Sequence, residues 1–369
     1  MTHASKARRP AKAHVNWVLK TVANASHLHI NILIKGRIKG NPMSTQSVKA
    51  RICGAAAAMA IMTPAFAQDA PLNVLTTVTM IADVAANVAG DCATVTSLLG
   101  AGSDPHLYRP TAADVQKLSG ADLILYVDPA LEARLAEVLA GFTNRTPTIG
   151  LARASFDDST LLGGAEDATQ IDPHLWMDVS LWAQIAPVIA DAIAAQRPDC
   201  ADDLTANVAN YTAQLDALHM WVTQAITSIP QDQRLLVTAH DAFEYFASGY
   251  GITASEAIEG ISTESEASIG DIRDVAAFVA ASGVPAVFVE TTISPRTIEA
   301  LVAEVQSQGH DVVIGGALFS DAMGDDATPE GTYIGMIRAN TVTVTEALGG
   351  TLPDWPEALD GWARDWSIE

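Results

Sequence analysis

The stretch from Asp202 to Ile229, DDLTANVANYTAQLDALHMWVTQAITSI, has the pattern of one long amphipathic helix. Its apolar residues recur at steps of three or four, which places them on one stripe of a helix: Leu204, Val208, Tyr211, Leu215, Leu218, Val222 and Ile226. Pro198 precedes the stretch and Pro230 follows it, so both ends are bounded. At ~1.5 Å per residue such a helix is roughly 40 Å long. A long core helix would show the same stripe, but distinctive motifs lie on both sides of it. We therefore interpret it as a connection between two lobes that share one site.

Short apolar segments alternate with helical patterns on both sides of this helix. Four predicted strands precede it, at 72–79, 93–99, 122–127 and 147–151, and four follow it, at 234–239, 252–258, 286–291 and 311–314. This alternation predicts an α/β fold whose parallel strands are joined by right-handed crossovers. We expect two lobes, each a roughly four-stranded parallel sheet flanked by helices, joined by one long helix. The expected bounds are 68–200 for the N-terminal lobe, 201–230 for the connecting helix and 231–369 for the C-terminal lobe.

A secretory signal peptide is predicted at residues 43–67. Lys49 and Arg51 precede a short apolar run that ends in Ala65-Phe66-Ala67, the order of features in a cleavable signal. The run is too short to cross a membrane, and cleavage is expected near Ala67. Residues 1–42 are basic and show no periodicity. We interpret them as an over-extended translation start, with a long leader as the alternative.

The exported part of the chain is strongly acidic. Residues 1–67 hold ten Lys and Arg and no Asp or Glu, so their removal takes the formal net charge from −22 to −32. A surface of this sign repels phosphates, which argues against nucleic acid and anionic membrane as partners. It attracts cations instead.

Four polar residues are predicted to meet at one edge of the sheets. His106 follows the second strand, His240 ends the first strand of the second lobe, Asp321 follows the last strand, and His174 leads into the helix before the long one. Ligands of open parallel sheets bind beyond the carboxyl ends of the strands. Three imidazoles and a carboxylate suit zinc, and manganese or iron can accept them. His106 and His174 also share the context Asp-Pro-His-Leu.

Other residues near these motifs have simpler interpretations. His219 lies off the apolar stripe of the long helix and His310 lies in a turn before a strand, so both are assigned structural roles. Trp176, Trp182 and Phe243 are expected to pack between the lobes.

The acidic neighbours of the histidines allow two interpretations. Asp104 and Asp172 could cap turns or helices, and Asp241 is predicted to cap its helix with Glu244 three residues later. Glu290 ends an apolar strand on the same edge. It could orient a histidine or simply face solvent, and the sequence favours neither.

The chain resembles the metal-binding solute receptors of ABC importers, most closely the TroA-type group, across residues 72–350. The segments that carry the resemblance are DPHLYRPTAADV, ADLILYV, DPHLWMDV, LVTAHDAFEYF, GISTESEAS, VFVETTISPRTIEAL and GGALFSDAMGDDATPEGTYIGM. The resemblance implies a metal held between two lobes by His106, His174, His240 and Asp321. It also implies a periplasmic protein, expected to be a monomer, that hands one Zn(II) or Mn(II) per chain to a membrane permease and its ATPase, without inserting into the membrane itself.

The choice of metal stays open at this point. Manganese-selective members of the group tend to have a glutamate where this chain has His240, and a nitrogen-rich site favours zinc. Zinc-dedicated members often carry a histidine-rich loop before the second ligand. The corresponding loop here, SFDDSTLLGGAEDATQID, contains acids and no histidine.

A carrier fits the sequence better than two other classes of function do. The chain contains no HExxH, GxSxG or P-loop motif, and we do not expect an enzyme. The alternative is a zinc-dependent hydrolase with an open catalytic site, which usually has three protein ligands and a water. Four protein ligands argue for a closed site. An adhesin or structural protein is a poor fit because no repeats are present.

Two cysteines remain after removal of the signal, in a compartment where disulfides persist. Cys92 comes just before the second strand, at the edge opposite the predicted ligands. Cys200 follows a helix that starts near the ligands and runs away from them. We therefore predict a Cys92–Cys200 disulfide.

Overall fold

The structure is a computed structural model that describes residues 70–128, 131–163, 171–264 and 267–368. The predicted leader and signal peptide lie outside these ranges. Among the described residues, no helix is both long enough and apolar enough to cross a membrane.

The first half of the described chain is a four-stranded parallel sheet with helices. Its strands are β1 (Leu72–Thr76), β2 (Ala93–Ser97), β3 (Leu123–Tyr126) and β4 (Thr148–Gly150), in the spatial order β2-β1-β3-β4. The helices are α1 (Thr79–Ala89), α2 (Ala112–Ser119), α3 (Ala136–Ala140), α4 (Leu151–Ser155), α5 (Val179–Trp182) and α6 (Ile185–Ala194). Strand β3 is apolar throughout because both faces of the sheet are covered. The alternation predicted from the sequence is confirmed here.

The predicted connecting helix is present as α7, Ala201–Ser228, with 28 residues. Six of the seven predicted stripe residues are buried, namely Leu204, Tyr211, Leu215, Leu218, Val222 and Ile226, and Val208 is partly buried against the core. The helix packs against α1 and α6 of the first half.

The second half repeats the alternation of parallel strands and helices. Its strands are β5 (Leu235–Thr238), β6 (Ala254–Ala257), β7 (Ala286–Glu290) and β8 (Val313–Leu318). Its helices are α8 (Glu244–Tyr250), α9 (Ile269–Ser282), α10 (Arg296–Ser307), α11 (Tyr333–Ala347) and α12 (Asp360–Asp365). Helix α11 packs on the long helix α7.

The second half differs from the expected single sheet in one respect. Among the described residues, β5 pairs with β6 and β7 pairs with β8 as two parallel ladders, and β5 lies beside β7 without a ladder between them. At the end of β5 the backbone N–H groups of Ala239 and His240 donate to the side chain of Glu290 instead. A carboxylate thus connects strands where a backbone ladder was expected.

The predicted cap of α8 is wrong. The helix begins at Glu244, after Phe243, and no side chain caps it. The chain first makes a tight turn in which Ala242 N donates to the carbonyl of His240 at 3.0 Å, and Asp241 N donates to the carbonyl of Gly260 at 3.3 Å. This turn uses the residues that the sequence pattern assigned to the first turn of the helix.

Buried aromatic residues join the two halves. Trp176 and Trp182 are fully buried with ring centroids 6.2 Å apart, and Tyr333 lies 6.3 Å from Trp182. Trp176 Nε1 donates to the carbonyl of Ser320 at 2.8 Å, and the Tyr333 hydroxyl donates to the carbonyl of Trp176 at 2.7 Å. These contacts agree with the predicted packing role of the tryptophans.

The predicted disulfide is confirmed. Cys92 ends a short turn before β2, Cys200 immediately precedes α7, and their sulfurs are bonded with the Cα atoms 6.2 Å apart. The bond closes a loop with a sequence separation of 108. It fixes the start of the long helix to the first sheet.

We expect Cys92→Ser to lower the free energy of unfolding by about 2–4 kcal/mol, because losing the cross-link restores freedom to the unfolded chain. Guanidinium denaturation of the metal-free protein measures this change. Cys200→Ser should have the same effect, and the double variant should be no worse than either single one. Equal midpoints for wild type and variants would contradict the prediction.

Candidate metal centre

His106 is presented by the loop between β2 and α2. The Asp104 carboxylate accepts hydrogen bonds from the backbone N–H groups of His106 at 2.8 Å and Leu107 at 3.2 Å. Asp104 therefore caps a turn and not a helix. The imidazole of His106 is buried, with 3 % exposure.

His174 is held by the second Asp-Pro-His-Leu motif in a different way. Asp172 Oδ1 accepts from the backbone N–H of His174 at 2.9 Å and also lies 2.7 Å from Nδ1 of the ring. The carbonyl of Asp172 accepts a hydrogen bond from Tyr245 at 3.2 Å. A carboxylate on Nδ1 fixes the tautomer and leaves Nε2 free to act as a ligand.

His240 sits in the turn after β5 and is oriented by Glu290. Glu290 Oε2 lies 2.5 Å from Nδ1 of the ring, and Oε1 accepts from the backbone N–H groups of Ala239 and His240, both at 2.9 Å. Glu290 is buried. The interpretation of Glu290 as an orienting partner is confirmed, and the solvent-facing alternative is wrong.

Asp321 follows β8 in a segment tied to the first half. Its neighbour Ser320 accepts the indole hydrogen bond of Trp176, and Met323 N lies 3.3 Å from the Thr79 hydroxyl. Asp321 is 1 % exposed. Its carboxylate thus enters the interior between the two halves.

The four predicted side chains meet in one buried cluster. The Nε2 atoms of His106 and His174 are 3.3 Å apart. Asp321 Oδ1 lies 3.3 Å from His174 Nε2, and its Oδ2 lies 3.4 Å from His240 Nε2 and 3.6 Å from His106 Nε2. One ligand atom from each residue falls within 4.8 Å of all the others. Tetrahedral zinc with bonds of about 2.0–2.1 Å requires ligand atoms roughly 3.3–3.4 Å apart, so these spacings could hold one ion.

The atoms that face the centre of the cluster lack protein partners. His240 Nε2 and both carboxylate oxygens of Asp321 are buried without a hydrogen bond. Buried polar atoms are nearly always paired, since an unpaired one costs about 1–3 kcal/mol. A cation coordinated by these atoms would satisfy all of them at once.

The pKa values of the three imidazoles differ because their partners differ. Burial lowers the pKa of His106 to about 4. Burial also opposes the charge on His174, but Asp172 and Asp321 together outweigh it and raise that pKa to about 9. The carboxylates of Asp321 and Glu290 overcome burial and hold the pKa of His240 well above its usual value. Burial would raise the pKa of Asp321, but His240 and His174 hold it well below the usual range.

The sequence pattern assigned Asp172 only a capping role. It did not predict the contact of Asp172 with the ring of His174. The identical motif around His106 uses its aspartate differently, so the motif alone cannot reveal the difference. His219 and His310 lie outside the cluster. The first contacts Tyr250, with Nδ1 3.3 Å from the hydroxyl, and the second lies 2.9 Å from the Val284 carbonyl.

This fold and this cluster define an α/β protein with a closed, buried site that could hold one metal ion. The family model for the zinc-uptake complex component A, periplasmic (ZnuA), matches residues 74–347, and the chain belongs to this family. The resemblance inferred from the sequence motifs is therefore confirmed.

Curated relatives and solved structures agree with this assignment. The zinc-binding protein TroA of Treponema pallidum (strain Nichols) is 39% identical over 310 residues, 82% of this chain and 99% of TroA. The manganese-binding lipoprotein MntA of Bacillus subtilis (strain 168) is 38% identical over 280 residues, 76% of this chain and 90% of MntA. The structure of periplasmic zinc binding protein TroA from Treponema pallidum matches with a TM-score of 0.73 at 40% identity, covering 75% of this chain and 99% of that one. Fe(III)-bound YtgA from Chlamydia trachomatis matches with a TM-score of 0.68 at 26% identity, covering 77% and 100%.

We expect Glu290→Gln to weaken metal binding about 10- to 100-fold, because an amide orients His240 less well than a carboxylate. Competition with a chelating indicator measures the affinity. Glu132→Gln is the matched control: Glu132 is also buried and accepts from Thr77 and from Val127 N, and among the described residues none of its hydrogen bonds involves a histidine. An equal loss in both variants would contradict an orienting role for Glu290.

Metal binding at pH 7 should release about two protons, because His174 and His240 are protonated below their raised pKa values and a ligand nitrogen must be neutral. His106, with its lowered pKa, contributes none. Affinity should therefore rise from pH 6 towards pH 9. Calorimetry in buffers of different ionisation enthalpy counts the protons.

Asp172→Asn tests the source of one of these protons. Removing the carboxylate lowers the pKa of His174, so the number of protons released at pH 7 should fall by about one. A binding enthalpy that is the same in every buffer would mean that no protons are released, and so that His174 and His240 are not charged in the metal-free protein.

Proposed function

We propose that this chain is the periplasmic solute-binding protein of an ABC importer, which captures one zinc or manganese ion and delivers it to the membrane permease. The ligands are His106, His174, His240 and Asp321. The observation that carries the proposal is the buried cluster whose inward-facing atoms, His240 Nε2 and the Asp321 oxygens, have no partner in the protein.

The site supports reversible capture because its ligands come from both halves. His106 and His174 belong to the first half, and His240 and Asp321 belong to the second. A bound ion therefore connects the halves, and separating them removes ligands in pairs. The long helix α7 packs against elements of both halves, so we expect small shifts and loop motion on release instead of a wide domain opening.

The choice between zinc and manganese depends on Asp321. Three imidazoles and one carboxylate oxygen make a tetrahedral set that favours zinc. Both oxygens of Asp321 face the cluster, however, at 3.3 and 3.4 Å from two different imidazoles. A carboxylate that can bind through one or two oxygens also accommodates metals that take more ligands. Zinc and manganese are named for different relatives, and either ion is consistent with this site.

A carrier explains the site better than an enzyme does. A catalytic zinc keeps one position for water and usually has three protein ligands. Here four buried side chains converge, which is one protein ligand more than the usual catalytic set. The hydrolase alternative would require Asp321 to stay unbound.

The location and partners follow from the predicted signal peptide and from the family. Export to the periplasm, with cleavage near Ala67, places the protein beside an importer's permease, which works with an ATPase. The acidic surface disfavours nucleic acid and direct contact with anionic lipid. A monomer suffices because one chain supplies all four ligands.

The proposal predicts one zinc or manganese ion per chain in protein that begins near Gln68. His240→Ala should abolish stoichiometric binding or weaken it strongly, because the remaining ligands cannot close the site. Metal analysis after dialysis and competition with an indicator measure both quantities. His310→Ala is the matched control, since His310 is half-buried outside the cluster and should leave binding unchanged.

Asp321→Asn separates the carrier from the hydrolase. The carrier predicts a large loss of affinity, since the anionic ligand is removed. Unchanged affinity together with hydrolysis of a model ester would favour the enzyme. Wild-type protein without stoichiometric metal would refute the proposed function.

A further inference from the structure

The three histidines of the cluster are not equally fastened. His174 and His240 each have a carboxylate on Nδ1, from Asp172 and Glu290. In the part of the chain that the structure describes, no hydrogen bond reaches Nδ1 of His106; the polar contacts of its ring are with His174 and Asp321 through Nε2. The position of His106 therefore depends on the backbone of its loop.

The loop of His106 is tied to the second half by the segment 259–264. The Asp104 carboxylate that holds the N–H of His106 accepts, through its other oxygen, a hydrogen bond from the Thr263 hydroxyl at 2.7 Å. Arg134 donates to Glu264 at 2.8 Å and to the carbonyl of Leu107 at 3.1 Å. Thr263 thus contacts the loop of His106 directly, and Glu264 contacts it through Arg134.

The same segment is fastened at its other end to the turn that carries His240. Glu259 N donates to the carbonyl of Ala239 at 2.8 Å, and Asp241 N donates to the carbonyl of Gly260 at 3.3 Å. The 259–264 loop therefore connects the turn that carries His240 to the loop that carries His106 in the opposite half. Displacement of this loop would free His106 while carboxylates still held the other two imidazoles.

We propose that the 259–264 loop controls metal exchange: its contacts from Thr263 to Asp104 and from Glu264 to Arg134 keep His106 in the ligating position, and their loss begins release. This inference rests on the proposed function, since it concerns the same metal. Asp104, Arg134, Thr263 and Glu264 are positioning residues that do not touch the ion. The Arg134–Glu264 pair is the accessible one, with side chains 29% and 46% exposed, so salt should loosen it.

The first test measures zinc release into excess chelator by stopped-flow mixing. Thr263→Val removes one hydrogen bond and should accelerate release about fivefold, the effect expected for a typical net hydrogen bond. Zinc stoichiometry should stay at that of wild type. Thr263→Ser retains the hydroxyl and should release zinc at close to the wild-type rate. Thr253→Val is the matched control, because the Thr253 hydroxyl donates to the Arg234 carbonyl at 2.7 Å, away from the His106 loop.

The second test uses ionic strength to separate a positioning role from a general loss of stability. Release from wild type should accelerate as salt screens the Arg134–Glu264 pair. Glu264→Gln should release faster at low salt and show a smaller dependence on salt. Asp158→Asn is the control, since it breaks a comparably exposed pair with Arg153 at 3.1 Å, and it should keep the wild-type dependence.

The outcomes distinguish this inference from the function on which it rests. If Thr263→Val and Thr253→Val each bind one zinc and release it at equal rates, the 259–264 loop does not control exchange and the inference is wrong. The same conclusion follows if Glu264→Gln keeps the wild-type salt dependence. A wild type that binds no zinc refutes the proposed function itself, and the inference with it.

Discussion

The rest of the site depends on one constraint, the buried carboxylate of Asp321 among three imidazoles. Its oxygens lie 3.3–3.6 Å from three different Nε2 atoms and have no hydrogen-bond partner. A charge in this position is stable only with compensating charge nearby. In the metal-free protein the charged forms of His174 and His240 compensate it. Asp172 and Asp321 raise the pKa of His174, and Asp321 and Glu290 raise that of His240. A divalent cation would replace those protons, which couples metal binding to pH.

Carboxylates behind the histidines make this arrangement rigid. Asp172 and Glu290 each bind both a backbone N–H and the ring of the histidine they orient. The first half contains a related feature, since the buried Glu132 accepts from Thr77 and from Val127 N, just beyond β1 and β3. Glu290 is the last residue of β7 and accepts from the two backbone N–H groups just beyond β5. In the second half the bridging carboxylate also reaches a histidine, so a structural link has become part of the site.

The elements were predictable because their signals are local. The stripe of α7 and the eight apolar segments follow from side-chain periodicity within a few residues, and all of these elements were found near their predicted positions. The rule that ligands gather at the carboxyl ends of parallel strands then predicts that His106, His174, His240 and Asp321 lie together. The predicted helix start at Asp241 is wrong because the turn that carries His240 depends on Gly260, which lies 19 positions after Asp241 in the sequence.

The sequence by itself determined the α/β alternation, the long helix, the cysteine pair and the four residues of the cluster. Only the tertiary structure decided how each of them is held. Asp104 and Asp172 have the same local sequence, yet one reaches Thr263 across the two halves and the other reaches the ring of His174. Likewise Glu290 meets His240 across 50 positions of sequence. These partners are set by the packing of distant segments, and side-chain periodicity contains no information about which distant segments meet.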